Sequence, residues 1–199
     1  MNYLYQKGNH DRVFVLLHGT GGHKEDLIDL AKYMDENAHI IALEGDVDEG
    51  GVKRFFKRKA PGVFNIQDLD QRRDKLFDFL DTLADKHALK RDEFVALGYS
   101  NGANMILSIL YAYQNPFKAI FLHHPMLSYE DRTMCLQKGL KVFIGAGEND
   151  PICSKVMTKT VFKDLQTKEA DVTIFWHQQF HQISRDEIEA ARRFYLKKV

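Results

Sequence analysis

The pentapeptide Gly98-Tyr99-Ser100-Asn101-Gly102 has the glycine and serine spacing of a nucleophile turn. It follows an apolar run at 94–97 and precedes a segment with helical periodicity at 101–113. A strand, a sharp turn and a helix in this order hold the serine Oγ exposed above a sheet. The backbone N–H of Asn101 and the helix dipole then face the place where negative charge would develop. The motif predicts that Ser100 is a nucleophile in acyl transfer; the alternative is a tight turn with an inert surface serine.

A nucleophilic serine needs a histidine base, and the base needs a carboxylate that orients it. Where this turn occurs, the chain order is serine, acid, histidine, so only His177 and His181 follow the candidate acids. We predict His181 as the base, because it lies in a short loop after the last strand. His177 continues that strand and is expected to make a structural hydrogen bond. Asp150 is the predicted acid, since it follows a strand and a glycine pair and precedes the rigid Pro151; Glu148 is its rival.

A glycine-rich loop, His18-Gly19-Thr20-Gly21-Gly22, follows the first buried strand. Glycines let the backbone approach a tetrahedral intermediate, so we predict that the Thr20 N–H is an oxyanion donor beside that of Asn101. His18 is expected to brace this loop. A dinucleotide-binding interpretation competes for the same loop, but the sixth position of its G-x-G-x-x-G pattern is Lys24, and no Gly-Lys-Ser/Thr follows.

Short apolar runs alternate with amphipathic stretches along the whole chain. This alternation predicts an α/β fold, with a mostly parallel central sheet and helices on both faces. The expected strands are 13–17, 39–43, 94–97, 119–122, 142–144 and 172–176, and the expected helices are 25–37, 68–87, 101–113, 155–167 and 186–198. Residues 3–5 are expected to form a short antiparallel edge strand. Ser184 and Glu187 form a capping box that marks the start of the last helix.

The segment 44–67 has no clear periodicity, and segments this long in a compact domain are often functional. Ligands of open α/β sheets bind outside the carboxyl ends of the strands. We therefore predict a substrate pocket lined by Phe55, Phe56, Met126 and Ile152; packing in the core is the alternative for each. We expect one domain over residues 1–199 without a large lid, and so an open, shallow site.

Composition bears on which classes of partner the protein has. The chain has 28 Lys and Arg against 28 Asp and Glu, a net charge of zero, whereas nucleic-acid binders usually carry a basic excess. Two cysteines do not make a disulfide framework in 199 residues. No apolar run approaches the roughly 18 residues of a membrane span, and the first residues lack a signal-peptide core. We expect a cytoplasmic protein that binds neither nucleic acid nor a membrane.

No cofactor is expected, either metal or organic. His123 and His124 are adjacent, and neighbours on a strand face opposite sides, so we expect that they do not form a metal pair. Cys153 lies near Asp150, but its surroundings in the sequence do not make it a nucleophile.

Four segments together resemble the phospholipase/carboxylesterase branch of the α/β-hydrolases. They are residues 16–22, 98–102, 145–151 and 176–182. Arg54-Phe55-Phe56-Lys57-Arg58 and His124-Pro125-Met126-Leu127 resemble more narrowly the small bacterial carboxylesterases linked to hydroquinone and catechol resistance. The resemblance covers about 13–195 and implies a triad of Ser100, Asp150 and His181, with Thr20 and Asn101 as oxyanion donors. Phe180 stands where the family usually has glycine, which implies either a different loop path or a narrower pocket.

The residues and the resemblance predict a serine carboxylesterase that hydrolyses small soluble esters through an acyl-enzyme. Activity is expected to rise through about pH 6 to 8, because the histidine base must be neutral. A thioesterase or lysophospholipase with the same side chains is one alternative, and a non-catalytic binder of quinones or phenols is another. The sequence does not decide the oligomeric state, and a homodimer is left open.

Overall fold

The computed structural model describes residues 1–60, 62–126, 129 and 131–199. Leu127, part of one resemblance segment, therefore lies outside the described residues. In chain order the elements are β1 (Asn2–Gln6), β2 (Val13–Leu17), α1 (Ile28–Met34), β3 (His39–Glu44), β4 (Val47–Asp48), β5 (Lys53–Arg54), β6 (Arg58–Ala60), β7 (Val63–Phe64), α2 (Ile66–His87), a 3₁₀ turn (Arg91–Glu93), β8 (Phe94–Tyr99), α3 (Asn101–Leu110), β9 (Ala119–His123), β10 (Lys141–Gly147), α4 (Lys155–Thr167), β11 (Asp171–His177) and α5 (Arg185–Lys198).

Seven strands form one central sheet in the order β1-β3-β2-β8-β9-β10-β11. Six of them run parallel, and β1 pairs antiparallel with β3 at the edge. The mostly parallel sheet confirms the predicted fold class. The long segment after β3 forms two small antiparallel hairpins, β4 with β5 and β6 with β7.

Both faces of the sheet are covered because the central strands are apolar on both sides. In β2, Val13, Val15 and Leu17 pack into one hydrophobic cluster, while Phe14 and Leu16 pack into another. The first cluster is closed by side chains of α2, α3 and α4, and the second by side chains of α1 and α5. Alternate side chains of one strand point to opposite faces, so each face needs its own layer of helices.

Helix ends differ from the sequence expectation where no local signal marks them. Helix α1 begins at Ile28, three residues later than expected, and its N-cap Leu27 makes no side-chain cap. Helix α5 begins at Arg185, within one residue of the expected start, because Ser184 and Glu187 form both hydrogen bonds of the capping box. Within the described residues, no helix is long and apolar enough to cross a membrane.

Candidate active site

Ser100 lies at the sharp turn between β8 and α3, with φ 50° and ψ −106°. This left-handed backbone is strained for a residue with a side chain and recurs at functional sites. Both flanking glycines are required by close packing. A Cβ at Gly98 would lie 2.7 Å from the Ala103 nitrogen, and a Cβ at Gly102 would lie 2.0 Å from the Leu17 carbonyl oxygen. The turn therefore fits only with glycine at these two positions, and it holds Ser100 at the carboxyl edge of the sheet.

The structure brings Ser100, His181 and Asp150 into one chain of contacts. His181 Nε2 lies 2.8 Å from Ser100 Oγ, and His181 Nδ1 lies 2.6 Å from Asp150 Oδ2. The three residues follow the carboxyl ends of β8, β11 and β10, which meet at one edge of the sheet. The Tyr99 hydroxyl donates a 2.7 Å hydrogen bond to the His181 carbonyl and holds its loop over the serine. If Nδ1–H donates to Asp150, Nε2 is free to accept the serine proton.

The carboxylate of Asp150 accepts four hydrogen bonds. The backbone N–H groups of Ile152 and Cys153 donate to Oδ1 at 2.8 and 2.9 Å, while His181 and His124 contact Oδ2 at 2.6 and 2.8 Å. Burial opposes ionisation, but the Cys153 N–H and the two histidines outweigh it and lower the pKa of Asp150. Asp150 is thus a fixed anion behind His181.

His181 is a neutral imidazole at physiological pH. Burial lowers its pKa below the ordinary 6.5, and the nearby His124 adds to this, although Asp150 opposes the shift. A neutral ring is the form that can take a proton from a hydroxyl.

The two candidate oxyanion donors lie at the same cavity as Ser100. Thr20 and Asn101 both line it, and within the described residues neither backbone N–H donates to another backbone group. The Thr20 loop is braced as expected by His18, whose Nδ1 contacts the Gly19 carbonyl at 2.6 Å and whose Nε2 accepts from the Gly45 N–H at 3.0 Å. Two backbone donors therefore remain available beside Ser100.

A cavity of about 370 Å³ opens above Ser100, at the small end of the range for ligand pockets. Met126 and Ile152 line it, but Phe55 and Phe56 do not, which corrects our expectation. Both phenylalanines are fully buried: Phe55 packs on His18, and Phe56 packs edge-on against Phe64. Their large apolar area is worth more in the core than at a wet surface.

The segment 44–67 also supplies cavity residues that the sequence does not predict. Arg54, Arg58 and Phe64 line its wall. The Phe55 N–H donates a 2.7 Å hydrogen bond to Asn101 Oδ1, so the chain beside Arg54 is tied to the residue after the nucleophile. Two signals were present in the sequence, the arginines near the buried Phe55-Phe56 pair and the resemblance of residues 54–58 to the small bacterial carboxylesterases.

His124 is a second histidine on the Asp150 carboxylate. Its Nδ1 contacts Asp150, and its Nε2 lies 3.1 Å from the Gln182 carbonyl and 3.5 Å from Glu187 Oε2. Burial alone would lower its pKa, but Glu187 and Asp150 outweigh that effect and raise it. Both ring nitrogens face acceptors, and the two carboxylates favour the imidazolium form of His124.

Glu187 is the centre of a buried cluster behind the three site residues. It contacts His123 Nδ1 at 2.5 Å and His177 Nε2 at 2.9 Å, in addition to His124. The expected opposition of His123 and His124 is therefore wrong. His124 follows the end of β9 and has a φ of 54°, so the alternation of side chains along a strand does not apply to it. Both rings face the same carboxylate.

In the described part of the chain, two groups of side chains have atoms close enough to be metal ligands. They are His124 with Asp150 and His181, and His124 with His177 and Glu187. In the first group, both histidines already hydrogen-bond to Asp150. In the second group, His177 Nε2 lies 2.9 Å from Glu187 Oε2, but among the described residues this buried nitrogen has no partner in hydrogen-bond geometry. The expected absence of a metal stays a prediction.

Cys153 and Phe180 lie near the site without facing its cavity. Burial raises the pKa of the Cys153 thiol to about 11, and its Sγ lies 2.5 Å from the Pro125 carbonyl, so this sulfur stays protonated. The Phe180 side chain is 62% exposed. The narrowing of the pocket considered for Phe180 therefore does not occur.

The sheet order, the turn at Ser100 and the placement of acid and histidine after successive strands define an α/β-hydrolase. A crystal structure of a Bacillus cereus carboxylesterase has a TM-score of 0.98 and 40% identity, covering 100% of this chain and 95% of that one. The structure of YahD with malic acid has a TM-score of 0.92 and 29% identity, covering 100% and 99%. The putative hydrolase MhqD of Bacillus subtilis (strain 168) is 40% identical over the full length of both chains.

The family model for Phospholipase/Carboxylesterase matches residues 4–199. The chain belongs to this family and is a carboxylic ester hydrolase.

Proposed function

We propose that the protein hydrolyses small soluble carboxylic esters through an acyl-enzyme on Ser100. The observation that carries this proposal is the unbroken chain Ser100 Oγ, His181 and Asp150, with contacts of 2.8 and 2.6 Å, at the floor of a cavity. A serine so placed needs no further group for activation.

In the first step Ser100 Oγ attacks the ester carbonyl while His181 Nε2 takes the hydroxyl proton. The N–H groups of Thr20 and Asn101 bind the oxyanion of the tetrahedral intermediate. The intermediate collapses when the protonated His181 gives its proton to the leaving alcohol. Water then attacks the acyl-enzyme with His181 again as base, and free acid and Ser100 are released.

The carboxylate of Asp150 favours the form of His181 that arises during this transfer. Its negative charge raises the pKa of His181, whereas burial and the nearby His124 lower it. When His181 becomes an imidazolium, it lies 2.6 Å from this carboxylate. We propose that His124 acts through Asp150 as a positioning residue, because it holds the second lone pair of Oδ2 and fixes the carboxylate.

The size of the cavity favours a small substrate. A volume of about 370 Å³ suits an ester of a few carbon atoms on each side of the carbonyl and is too small for a long acyl chain. YahD was solved with malic acid, a small molecule of this size class. We propose one catalytic domain over residues 1–199; the cytoplasmic location and a homodimer stay predictions.

Covalent labelling tests the nucleophile. A fluorophosphonate should add one adduct per chain to the wild type, on the peptide that contains Ser100, and none to Ser100→Ala. Intact-mass measurement and peptide mapping give the result. Ser154→Ala is the matched control, since Ser154 caps helix α4 near Asp150 and lines no part of the cavity. Labelling that persists in Ser100→Ala would remove Ser100 from the mechanism.

The pH dependence of kcat/KM should report His181. Protonation of His181 removes the base, so activity falls on the acidic side. Since the folded pKa is lowered from 6.5, the midpoint of this fall should lie below pH 6.5, with a plateau above about pH 7. This places the rise lower than the sequence-based range of pH 6 to 8. Rates for p-nitrophenyl acetate and butyrate should share the midpoint; a midpoint well above 6.5 for both contradicts the neutral, desolvated ring.

Substrate panels separate the proposed esterase from its two alternatives, a thioesterase or lysophospholipase and a non-catalytic binder. Short acyl esters, short acyl thioesters and lysolipids should be compared at equal concentrations, each with Ser100→Ala as the blank. We expect the short esters to have the highest kcat/KM. A preference for lysolipids would show that the acyl chain leaves the cavity, and binding of phenols without any turnover would favour the non-catalytic alternative.

A further inference from the structure

Two arginines line the cavity above Ser100. Arg54 and Arg58 are in its wall, and no aspartate or glutamate is among the described residues that line it. The remaining wall is largely apolar, with Phe64, Met126 and Ile152. The cavity of a neutral ester would not need a guanidinium, because moving this group out of water costs free energy.

Arg54 is buried and rigidly placed. Its side chain is only 8% exposed, and its backbone pairs with Val47 in the β4–β5 hairpin. Gly45 packs directly on it: a Cβ at Gly45 would lie 2.3 Å from the Arg54 carbonyl oxygen. The next residue donates its N–H to Asn101 Oδ1, beside the nucleophile. The guanidinium is therefore held in a fixed position relative to Ser100.

Among the described residues, the positive charge of the pair is only half compensated. Glu49 Oε2 lies 3.1 Å from Arg54 Nε and 3.2 Å from Arg58 Nε, so one carboxylate faces two guanidinium groups. The Arg54 Nε is buried, and among the described residues it has no partner in hydrogen-bond geometry. Burial and the neighbouring Arg58 lower the pKa of Arg54 despite Glu49. An anion in the cavity would supply the missing negative charge.

We propose that the substrate is an ester that carries a free carboxylate, which binds Arg54 and Arg58 while the ester carbonyl lies at Ser100. A guanidinium matches a carboxylate with two parallel hydrogen bonds, and this pairing is strong when the site is dry. The apolar wall would hold the carbon skeleton between the two ends. This inference rests on the proposed function and narrows its substrate class.

Two matched pairs of esters test the inference. 4-Acetoxybenzoate against 4-acetoxybenzamide places the charge on the alcohol side, and 4-nitrophenyl hydrogen adipate against 4-nitrophenyl hexanoate places it on the acyl side. In at least one pair, the wild type should have the higher kcat/KM for the anion after correction for spontaneous hydrolysis. Arg58→Gln should reduce the ratio of anionic to neutral kcat/KM by about tenfold, as for one hydrogen bond to a charged group.

Arg54→Gln should reduce this ratio further. Arg54→Lys should restore only part of it, because lysine keeps the charge but lacks the two parallel N–H donors of the guanidinium. If the buried Arg54 variants do not fold, Arg58→Gln still decides the question, since Arg58 is 38% exposed. Lys59→Gln is the matched control: it removes one exposed positive charge from the same segment without lining the cavity, and its ratio should equal that of the wild type.

Failure of this inference is distinct from failure of the proposed function. Suppose that the wild type hydrolyses the neutral esters. A ratio of anionic to neutral kcat/KM below one in both pairs, or a ratio that does not change in Arg58→Gln, then overturns the carboxylate-binding proposal and leaves the esterase proposal intact. Absence of hydrolysis of all four esters, together with absence of fluorophosphonate labelling, overturns both. Raised salt should lower the wild-type ratio, because ions screen the partly exposed Arg58.

Discussion

Ser100→Ala, His181→Gln and the double variant are expected to lose nearly the same activity, on the order of 10⁶-fold in kcat for a small ester. The serine hydroxyl is a useful nucleophile only if its proton leaves to His181, and His181 serves no purpose in the first step without the serine. The direct contact of 2.8 Å between them makes the pair one functional unit. The measurement is kcat and kcat/KM for p-nitrophenyl acetate with enzyme preparations shown to be free of contaminating esterase.

His177→Gln is the matched histidine control. His177 Nε2 contacts Glu187 and does not reach Ser100, so this variant should keep most of its rate once its folded fraction is verified. If the losses of the two single variants instead multiply in the double variant, each residue acts independently. That outcome would contradict a shared proton transfer between Ser100 and His181.

Asp150→Asn belongs to the same series and should cost about 10⁴-fold in kcat. An amide at this position can donate to His181 Nδ1 and so favour the tautomer whose Nε2–H faces Ser100. That ring cannot take the serine proton. A much smaller loss would mean that His124 and the loop already orient His181 without the carboxylate.

The core and the positions of the three site residues could be predicted because they depend on local signals. The runs 13–17 in β2, 94–97 in β8 and 119–122 in β9 are apolar at every position, which is typical of strands buried on both faces. The order of serine, acid and histidine follows from the topology of the parallel sheet, since each must follow the carboxyl end of a strand. The start of α5 is fixed by the capping-box hydrogen bonds between Ser184 and Glu187, which are only three residues apart.

The pocket wall could not be predicted because it depends on contacts that are distant in the sequence. Whether Arg54 or Phe55 faces the cavity is decided by Asn101, which binds the Phe55 N–H from 46 residues away, and by the space that Gly45 leaves. The role of His124 depends on a backbone with positive φ after β9 and on two carboxylates 26 and 63 residues further along the chain. Spacing within a motif carries no information on such contacts.

Glu187→Gln is expected to lower the free energy of unfolding at pH 7 by about 3 kcal/mol, roughly 10 °C in Tm. The carboxylate is completely buried and faces His123, His124 and His177. The amide retains the shape, but it removes the anion that faces the three histidines and favours the charged form of His124. The loss is large because one partner of a buried ion pair would be left without compensation. Urea unfolding, followed by tryptophan fluorescence and by far-UV circular dichroism, gives the difference.

Glu189→Gln, two residues further on the same helix, is the matched control, because Glu189 contacts Tyr33 at the surface and such contacts contribute 0 to about 1 kcal/mol.

The pH dependence of the free energy of unfolding separates the effect of the Glu187 charge from that of its packing. Burial opposes ionisation of Glu187, but the histidines outweigh it and lower its pKa below the ordinary 4.5. A lowered pKa stabilises the fold fully above pH 4.5, and this contribution is lost as the pH falls through the folded pKa. The gap between wild type and Glu187→Gln should therefore widen from pH 7 down to about 5, because Glu187 also raises the pKa of His124 and the variant loses that contribution, and it should narrow below 4.5. A gap that stays constant into strong acid would mean that Glu187 stabilises the protein by its shape and its capping bonds, and that the buried anion contributes nothing.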